Sequence, residues 1–365
     1  MPRPRTFLAA LTLGLLLAGC QQRPQTTAAA PPVAAPQPAV TPQPAVTPQS
    51  APAPQPAAEP ATEWTLAVLP DTQYYAAKYP KYFEDECAWL AKNAQAKNLK
   101  YVIHVGDITD DNREKQWKVG QRCLGLLDGV VPLALVPGNH DYTGGGGALD
   151  RKTGLDTYFP PDKFKASPTF GGLYDEKSLA NSYHLFSVNG RDWLILCLEF
   201  GPREEVVAWA NGVLDKYADR AVIVATHAYL SNAGPRLDQH GQKPGHGPHK
   251  YAMAKQPGGV NDGEELWQKL IRRHANVALV VCGHVSGVAR LTSKNDAGGE
   301  VHQMLSDYQS EKEGGQGYIR ILHFSADGKT LEVRSYSPSL GREKKVEANR
   351  FSLDLSRTSV PQRAK

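Results

Sequence analysis

Five apolar runs in this chain end on the same kind of residue. EWTLAVLP (Glu63–Pro70) leads into Asp71-Thr72-Gln73, and KYVIHVGD (Lys100–Asp107) ends on an aspartate followed by Asp110. VVPLALVPGNHD (Val130–Asp141) ends on Asn139-His140-Asp141, RAVIVATH (Arg220–His227) on a histidine, and NVALVVCGH (Asn276–His284) on another. Short apolar runs rich in Val, Ile and Leu read as buried strands. Between them lie segments with helical spacing: Tyr82–Lys97, Asn112–Gly129, the stretch EEVVAWANGVLDKYA and the stretch GEELWQKLIRRHA. Strands alternating with helices predict an α/β domain with a parallel or mixed sheet. Ser182–Glu199 reads as a hairpin turning at Asn189-Gly190. From Val301 to about Leu355 the runs are short and alternating, with a turn at Asp327-Gly328, which predicts antiparallel strands. Two long irregular segments, Tyr142–Gly172 and Ala228–Asn261, interrupt this order; loops of that length inside a compact domain are commonly functional.

The residues ahead of the first strand belong to another class. MPRPR is basic, and Thr6–Ala18 is an apolar run too short to span a bilayer. Leu17-Ala18-Gly19 then precedes Cys20. This predicts a lipoprotein signal over residues 1–20, with Cys20 acylated and the protein exported and held on a bacterial membrane surface. Residues 21–62 hold twelve of the 28 prolines, and PQPAVT occurs twice. Such a Pro/Ala/Gln-rich tract is expected to be an extended tether with no core of its own. The globular domain is expected over 63–355, with a flexible tail at 356–365. Charge is nearly balanced, 41 basic against 37 acidic residues, and no basic block with interleaved aromatics marks a nucleic-acid surface. The four cysteines after Cys20 match no zinc spacing; Cys87 and Cys123 fall on predicted helices, where an exported location would permit a disulfide.

Ligands of α/β sheets bind at the carboxyl ends of the strands. Each of the five ends has an ordinary explanation taken singly: Asp caps helices, and a lone His is usually structural. Five in order point to one site. Carboxylate, amide oxygen and imidazole together suit divalent metals such as Mn, Fe or Zn. Glycines at 106, 138 and 283 let the backbone approach a bound group closely.

The ordered set D-x-Q, G-D-x-x-D, G-N-H-D, T-H and G-H resembles that of the calcineurin-like metallophosphoesterases over roughly Trp64 to Ser337. The resemblance implies a four-layer α/β/β/α sandwich with two mixed sheets and two divalent metals (Mn, Fe, Zn or Mg) at one edge. It implies a phosphodiesterase or phosphomonoesterase in which a metal-activated hydroxide attacks phosphorus. Carried over, Asp107 would bridge the metals, Asn139, His227 and His284 would complete one site, and Asp71 would belong to the other. His140 would act on the leaving oxygen, held by Asp110. The family pattern has histidines where this chain has Gln73 and Ser286, both on the Asp71 side. Three readings follow: Gln73 supplies an amide oxygen to a harder metal such as Mn or Mg, a loop residue (His240, His246, His249, Asp307 or Gln309) replaces the lost ligand, or one metal suffices. The first is preferred. The alternative function is a catalytically weak surface lipoprotein that binds a phosphate-bearing ligand through one metal.

Overall fold

The computed structural model describes residues 60–241 and 246–359. The leader, Cys20, almost all of the tether and the last six residues of the tail lie outside them. Among the described residues there are fourteen strands: β1 (Trp64–Leu69), β2 (Leu99–His104), β3 (Leu133–Leu135), β4 (Phe170–Asp175), β5 (Ser178–Val188), β6 (Arg191–Leu198), β7 (Ala221–Thr226), β8 (Val277–Cys282), β9 (Gly287–Lys294), β10 (Glu300–Asp307), β11 (Ile319–Phe324), β12 (Thr330–Ser337), β13 (Arg342–Glu343) and β14 (Arg350–Asp354). The α-helices are α1 (Gln73–Ala77), α2 (Pro80–Asn93), α3 (Glu114–Leu124), α4 (Leu155–Tyr158), α5 (Pro161–Lys165), α6 (Glu204–Lys216) and α7 (Gly263–Lys269).

The strands form two mixed sheets. One runs β13-β12-β11-β1-β2-β3 with β14 on β12; the other runs β4-β5-β6-β7-β8-β10-β9. The period of two along each strand divides the side chains between layers. Leu66 and Val68 of β1 meet Ile195 and Cys197 of β6 and Ile223 of β7 in the core between the sheets. Ala67 and Leu69 point the other way, onto Phe83, Leu90 and Trp117 of α2 and α3. Leu194, Leu196 and Leu198 likewise pack against Val206, Ala210 and Leu266 of α6 and α7. The result is the four-layer α/β/β/α sandwich.

Both expected hairpins form, with Asn189-Gly190 joining β5 to β6 and Asp327-Gly328 joining β11 to β12. The tail differs in one respect. β10 is parallel to β8, not part of an antiparallel meander, and pairs on its other side with β9, a strand absent from the sequence reading. The segment Tyr142–Gly172, expected to be irregular, contains α4 and α5 and the start of β4. Cys87 and Cys123 are free thiols buried in the α2–α3 layer.

That layer also holds a carboxylic acid. Glu86 is fully buried, and among the described residues neither carboxylate oxygen has a hydrogen-bond partner. Burial, with Asp85 adding repulsion, pushes its pKa well above the usual 4.5. The folded state therefore keeps a proton that the unfolded chain releases, and stability falls as pH rises above 4.5, by about 1.4 kcal/mol per pH unit until the folded pKa is passed. Glu86→Gln removes that slope. Denaturation midpoints at pH 5 and pH 8 should show the variant gaining on the parent as pH rises; a gap independent of pH would refute the assignment.

Candidate metal centre

The parallel arrangement brings the carboxyl ends of β1, β2, β3, β7 and β8 to one edge of the sandwich. Asp71, Gln73, Asp107, Asn139, His227 and His284 converge there, and all are buried. The approach is tight. After β2 the chain turns through Gly106 at φ +103° and Asp107 at φ +53°, and after β8 through His284 at φ +75°. Positive φ at Asp and His costs on the order of 1–3 kcal/mol each and persists where the surroundings enforce it. A Cβ on Gly106 would lie 2.7 Å from both His227 Nδ1 and the Gly138 nitrogen. Cβ atoms on Gly138 and Gly283 would collide with the carboxylates of Asp107 and Asp71.

Hydrogen bonds outside the cluster set which atoms face inward. His227 Nδ1 donates to the Val105 carbonyl (2.8 Å), which turns Nε2 toward Asn139 Oδ1 (3.1 Å) and Asp107 Oδ1 (3.2 Å). His284 Nε2 donates to the His246 carbonyl (2.7 Å), which turns Nδ1 toward Asn139 Oδ1 (2.8 Å). Asn139 Nδ2 donates to the Gly146 carbonyl (2.8 Å), so that its oxygen is the atom between the two rings. Burial, with His227 adding to it, pushes the pKa of His284 down to about 3, so that ring is neutral. A neutral ring donating through Nε2 has a lone pair on Nδ1, and here it points at an oxygen lone pair. Burial disfavours charge on His227 as well, but Asp107 overrides it and raises its pKa. Inward lone pairs on nitrogen and oxygen attract a cation, and the outward donors to backbone carbonyls are the kind that orient metal-binding imidazoles.

Carboxylates surround the same point. Burial raises the pKa of Asp71 well above its ordinary value, and repulsion from Asp307 and Asp107 adds to this. Burial would also raise Asp107, but His227, His140 and His284 hold it well below the usual carboxylate range. Asp71, Asp107 and His227 offer ligand atoms all within 4.8 Å of one another. Buried like charges of this kind need a neutralising partner. The residues present therefore fit a divalent metal.

On the Gln73 side the donors differ. Gln73 Nε2 donates to Asp107 Oδ2 (3.1 Å) and to Gln309 Oε1, and Gln309 in turn donates to both oxygens of Asp307 (2.8 Å each). The Ser286 hydroxyl accepts a hydrogen bond from Ser310 (2.6 Å). Of the loop histidines, His240 is exposed and His246 meets the site through its carbonyl. His249 is paired with Glu265 (2.6 Å), within a capping box where Asp262 and Glu265 satisfy each other's backbone nitrogens at the start of α7.

His140 stands beside the cluster and not in it. Its backbone nitrogen donates to Asp107 Oδ1 (2.9 Å). Its Nδ1 bonds to the backbone carbonyl of Asp110, with the Asp110 carboxylate 3.6 Å away. The expected His–Asp contact is thus made mainly by main chain. His140, Tyr74, Tyr251 and Ser286 share the wall of a cavity of about 460 Å³ with Asp107, Asn139 and His284.

Two further residues have a role that the sequence does not assign. Asp141 is fully buried and accepts hydrogen bonds from the backbone nitrogens of Ile108 (3.1 Å), Thr109 (2.8 Å) and Gly138 (2.9 Å), tying the GDITD turn to the GNHD turn. It is the last letter of GNHD, and its main-chain partners carry no sequence signal. Gly146, at φ +87° within TGGGGA, accepts from Asn139, and a Cβ on it would strike the His140 ring. Gly146→Ala should lower turnover by roughly ten- to a hundredfold, since small misplacements of reacting groups carry costs of that order. Steady-state rates on a chromogenic phosphate ester, with metal content measured alongside, would show it; an unchanged rate would mean that the loop does not position His140.

The sequence pattern of the calcineurin-like phosphoesterase family matches residues 65–286. The uncharacterized protein YvnB of Bacillus subtilis (strain 168) is 35% identical over 283 residues, 75% of this chain and 20% of YvnB. A probable glycerophosphodiester phosphodiesterase, GpdQ, of Arcobacter nitrofigilis is 24% identical over 52% of this chain and 57% of that protein. A probable cyclic nucleotide phosphodiesterase of Colwellia psychrerythraea is 22% identical over 54% and 59%. The chain thus spans about a fifth of the length of YvnB and somewhat over half of the other two. With the sandwich and the strand-end cluster in place, the extent of the family match makes this chain a member of the calcineurin-like phosphoesterase family.

Proposed function

We propose that the chain is a metal-dependent hydrolase of phosphate diesters, tethered by an acylated Cys20 to the outer side of a bacterial membrane. The observation that carries the hydrolase reading is the ring of inward lone pairs from Asp107, Asn139, His227 and His284 next to His140. The diester preference draws on the names of the two phosphodiesterase relatives. Bound divalent cations would supply charge for the transferring phosphoryl group and an activated water. Asp107, Asn139, His227 and His284 would hold one cation, with Asp71 beside them. His140, fixed through Nδ1 by Asp110, would hold a proton on Nε2 for the leaving oxygen. Tyr74 and Tyr251 would flank the ester in the cavity.

A second reading, a weak catalyst that holds a phosphate-bearing ligand through one metal, draws on Gln73 and Ser286, neither of which offers an imidazole. One comparison separates the two. Chelator-treated protein is assayed with bis(4-nitrophenyl) phosphate and 4-nitrophenyl phosphate in Mn, Zn, Fe or Mg. Metal-dependent nitrophenol release, faster from the diester, is the expected result. No release with any metal would remove the hydrolase reading, and a faster monoester rate would remove the diester preference.

A further inference from the structure

Asp107 divides the site by ligand chemistry. Its Oδ1 faces His227 Nε2 and the His140 backbone nitrogen, while its Oδ2 faces the Gln73 amide. On the second side, two buried oxygens, Asp71 Oδ2 and Gln73 Oε1, have no hydrogen-bond partner among the described residues. Both residues are at least nine-tenths buried, and a polar oxygen left unpaired there is destabilising. Because β10 is parallel to β8, its carboxyl end arrives at the same edge and delivers Asp307. Asp307 is 1% exposed, and its two oxygens are oriented by Gln309, which is itself bonded to Gln73.

We propose that this side is an all-oxygen cation position, in which Asp71, Gln73 and Asp107 are the ligands and Asp307 supplies the negative charge that offsets the missing imidazoles. Carboxylate and amide oxygens suit hard divalent cations, whereas imidazole suits zinc. The centre is therefore chemically asymmetric: the His227–His284 side takes zinc or iron, and the Gln73 side takes manganese or magnesium in preference to zinc. The inference rests on the metallophosphoesterase reading.

The test uses the full chain, stripped with chelator, loaded with one equivalent of zinc and titrated with Mn²⁺. Binding is followed by the electron paramagnetic resonance signal of free Mn²⁺ and by elemental analysis after dialysis. Wild type should retain one zinc and take up one manganese. Asp307→Asn should weaken manganese binding by roughly ten- to a hundredfold, the size seen when supporting groups around a metal are removed, with the zinc equivalent retained. Gln73→His should let the protein retain two zinc equivalents. Wild type that holds two zinc ions and ignores manganese would overturn the proposal, as would Asp307→Asn binding manganese as wild type does. If Asp307→Asn does not fold, Gln73→His decides: two zinc equivalents support the asymmetry and one overturns it. Turnover of bis(4-nitrophenyl) phosphate separates this from the function itself. Turnover with the wrong metal pattern sinks only the asymmetry, and the right pattern without turnover sinks only the hydrolase.

Discussion

Asp107→Asn is expected to reduce phosphoester turnover by roughly a thousandfold or more, about 4 kcal/mol of barrier, and to remove retained metal. The substitution keeps the shape of the side chain and replaces one oxygen by NH₂. Both oxygens are engaged by donors: Oδ1 by the His140 backbone nitrogen, Oδ2 by Gln73 Nε2. Whichever way the new amide turns, its NH₂ meets an N–H, and the site loses a carboxylate that touches both halves. Three histidines also favour the ionised form of Asp107 against its burial. Elemental analysis and a chromogenic diester assay would check the result. A variant that retained its metal and came within tenfold of the parent rate would show that Asp107 does not join the two sides.

His140→Ala should behave differently. kcat should fall by roughly a hundred- to ten-thousandfold, the usual range for a positioned proton donor, while metal content stays at the parent level. The His140 ring is absent from the set of inward lone pairs; its tie to Asp107 is through the backbone nitrogen, which alanine keeps. The ring is held at the cavity wall by Asp110, and the carboxylates of Asp107 and Asp110 raise its pKa although burial opposes them. A residue that protonates the leaving oxygen matters most when that oxygen is basic. The loss should therefore be larger for alkyl phosphate esters than for nitrophenyl esters, whose leaving group needs no proton. Equal losses on both would point to substrate positioning, and loss of metal would place His140 among the ligands.

Much of the scaffold was readable because burial leaves a periodic record. β7 and β8 are almost uninterrupted apolar runs because parallel strands in this sandwich are covered on both faces. The five polar ends stood out because the strands before them are mostly apolar. Asp141 was not readable as a key residue, since it works on backbone nitrogens, which every residue type presents. Gly146 was one glycine among four in TGGGGA, and only its contact with Asn139 and His140 distinguishes it. The family resemblance points to the Asp110 carboxylate as the partner of His140, but the carbonyl of the same residue lies closer, a choice made by local backbone geometry.

The tail shows the boundary most clearly. Glu300–Asp307 has the composition of a strand, and a strand it is. Its neighbour and direction are not written in its own residues, because strand pairing is set by which edge remains open when the other elements have packed. The open edge was that of β8, the pairing was parallel, and Asp307 therefore reached the site instead of the far end of the sheet. The sequence alone determined the α/β alternation, the strand ends and the residue types able to bind a metal, because these follow from local periodicity and side-chain chemistry. Only the tertiary structure decided which lone pairs face inward and which carboxylate β10 brings to that edge, because hydrogen-bond partners and strand neighbours are long-range properties of the folded chain.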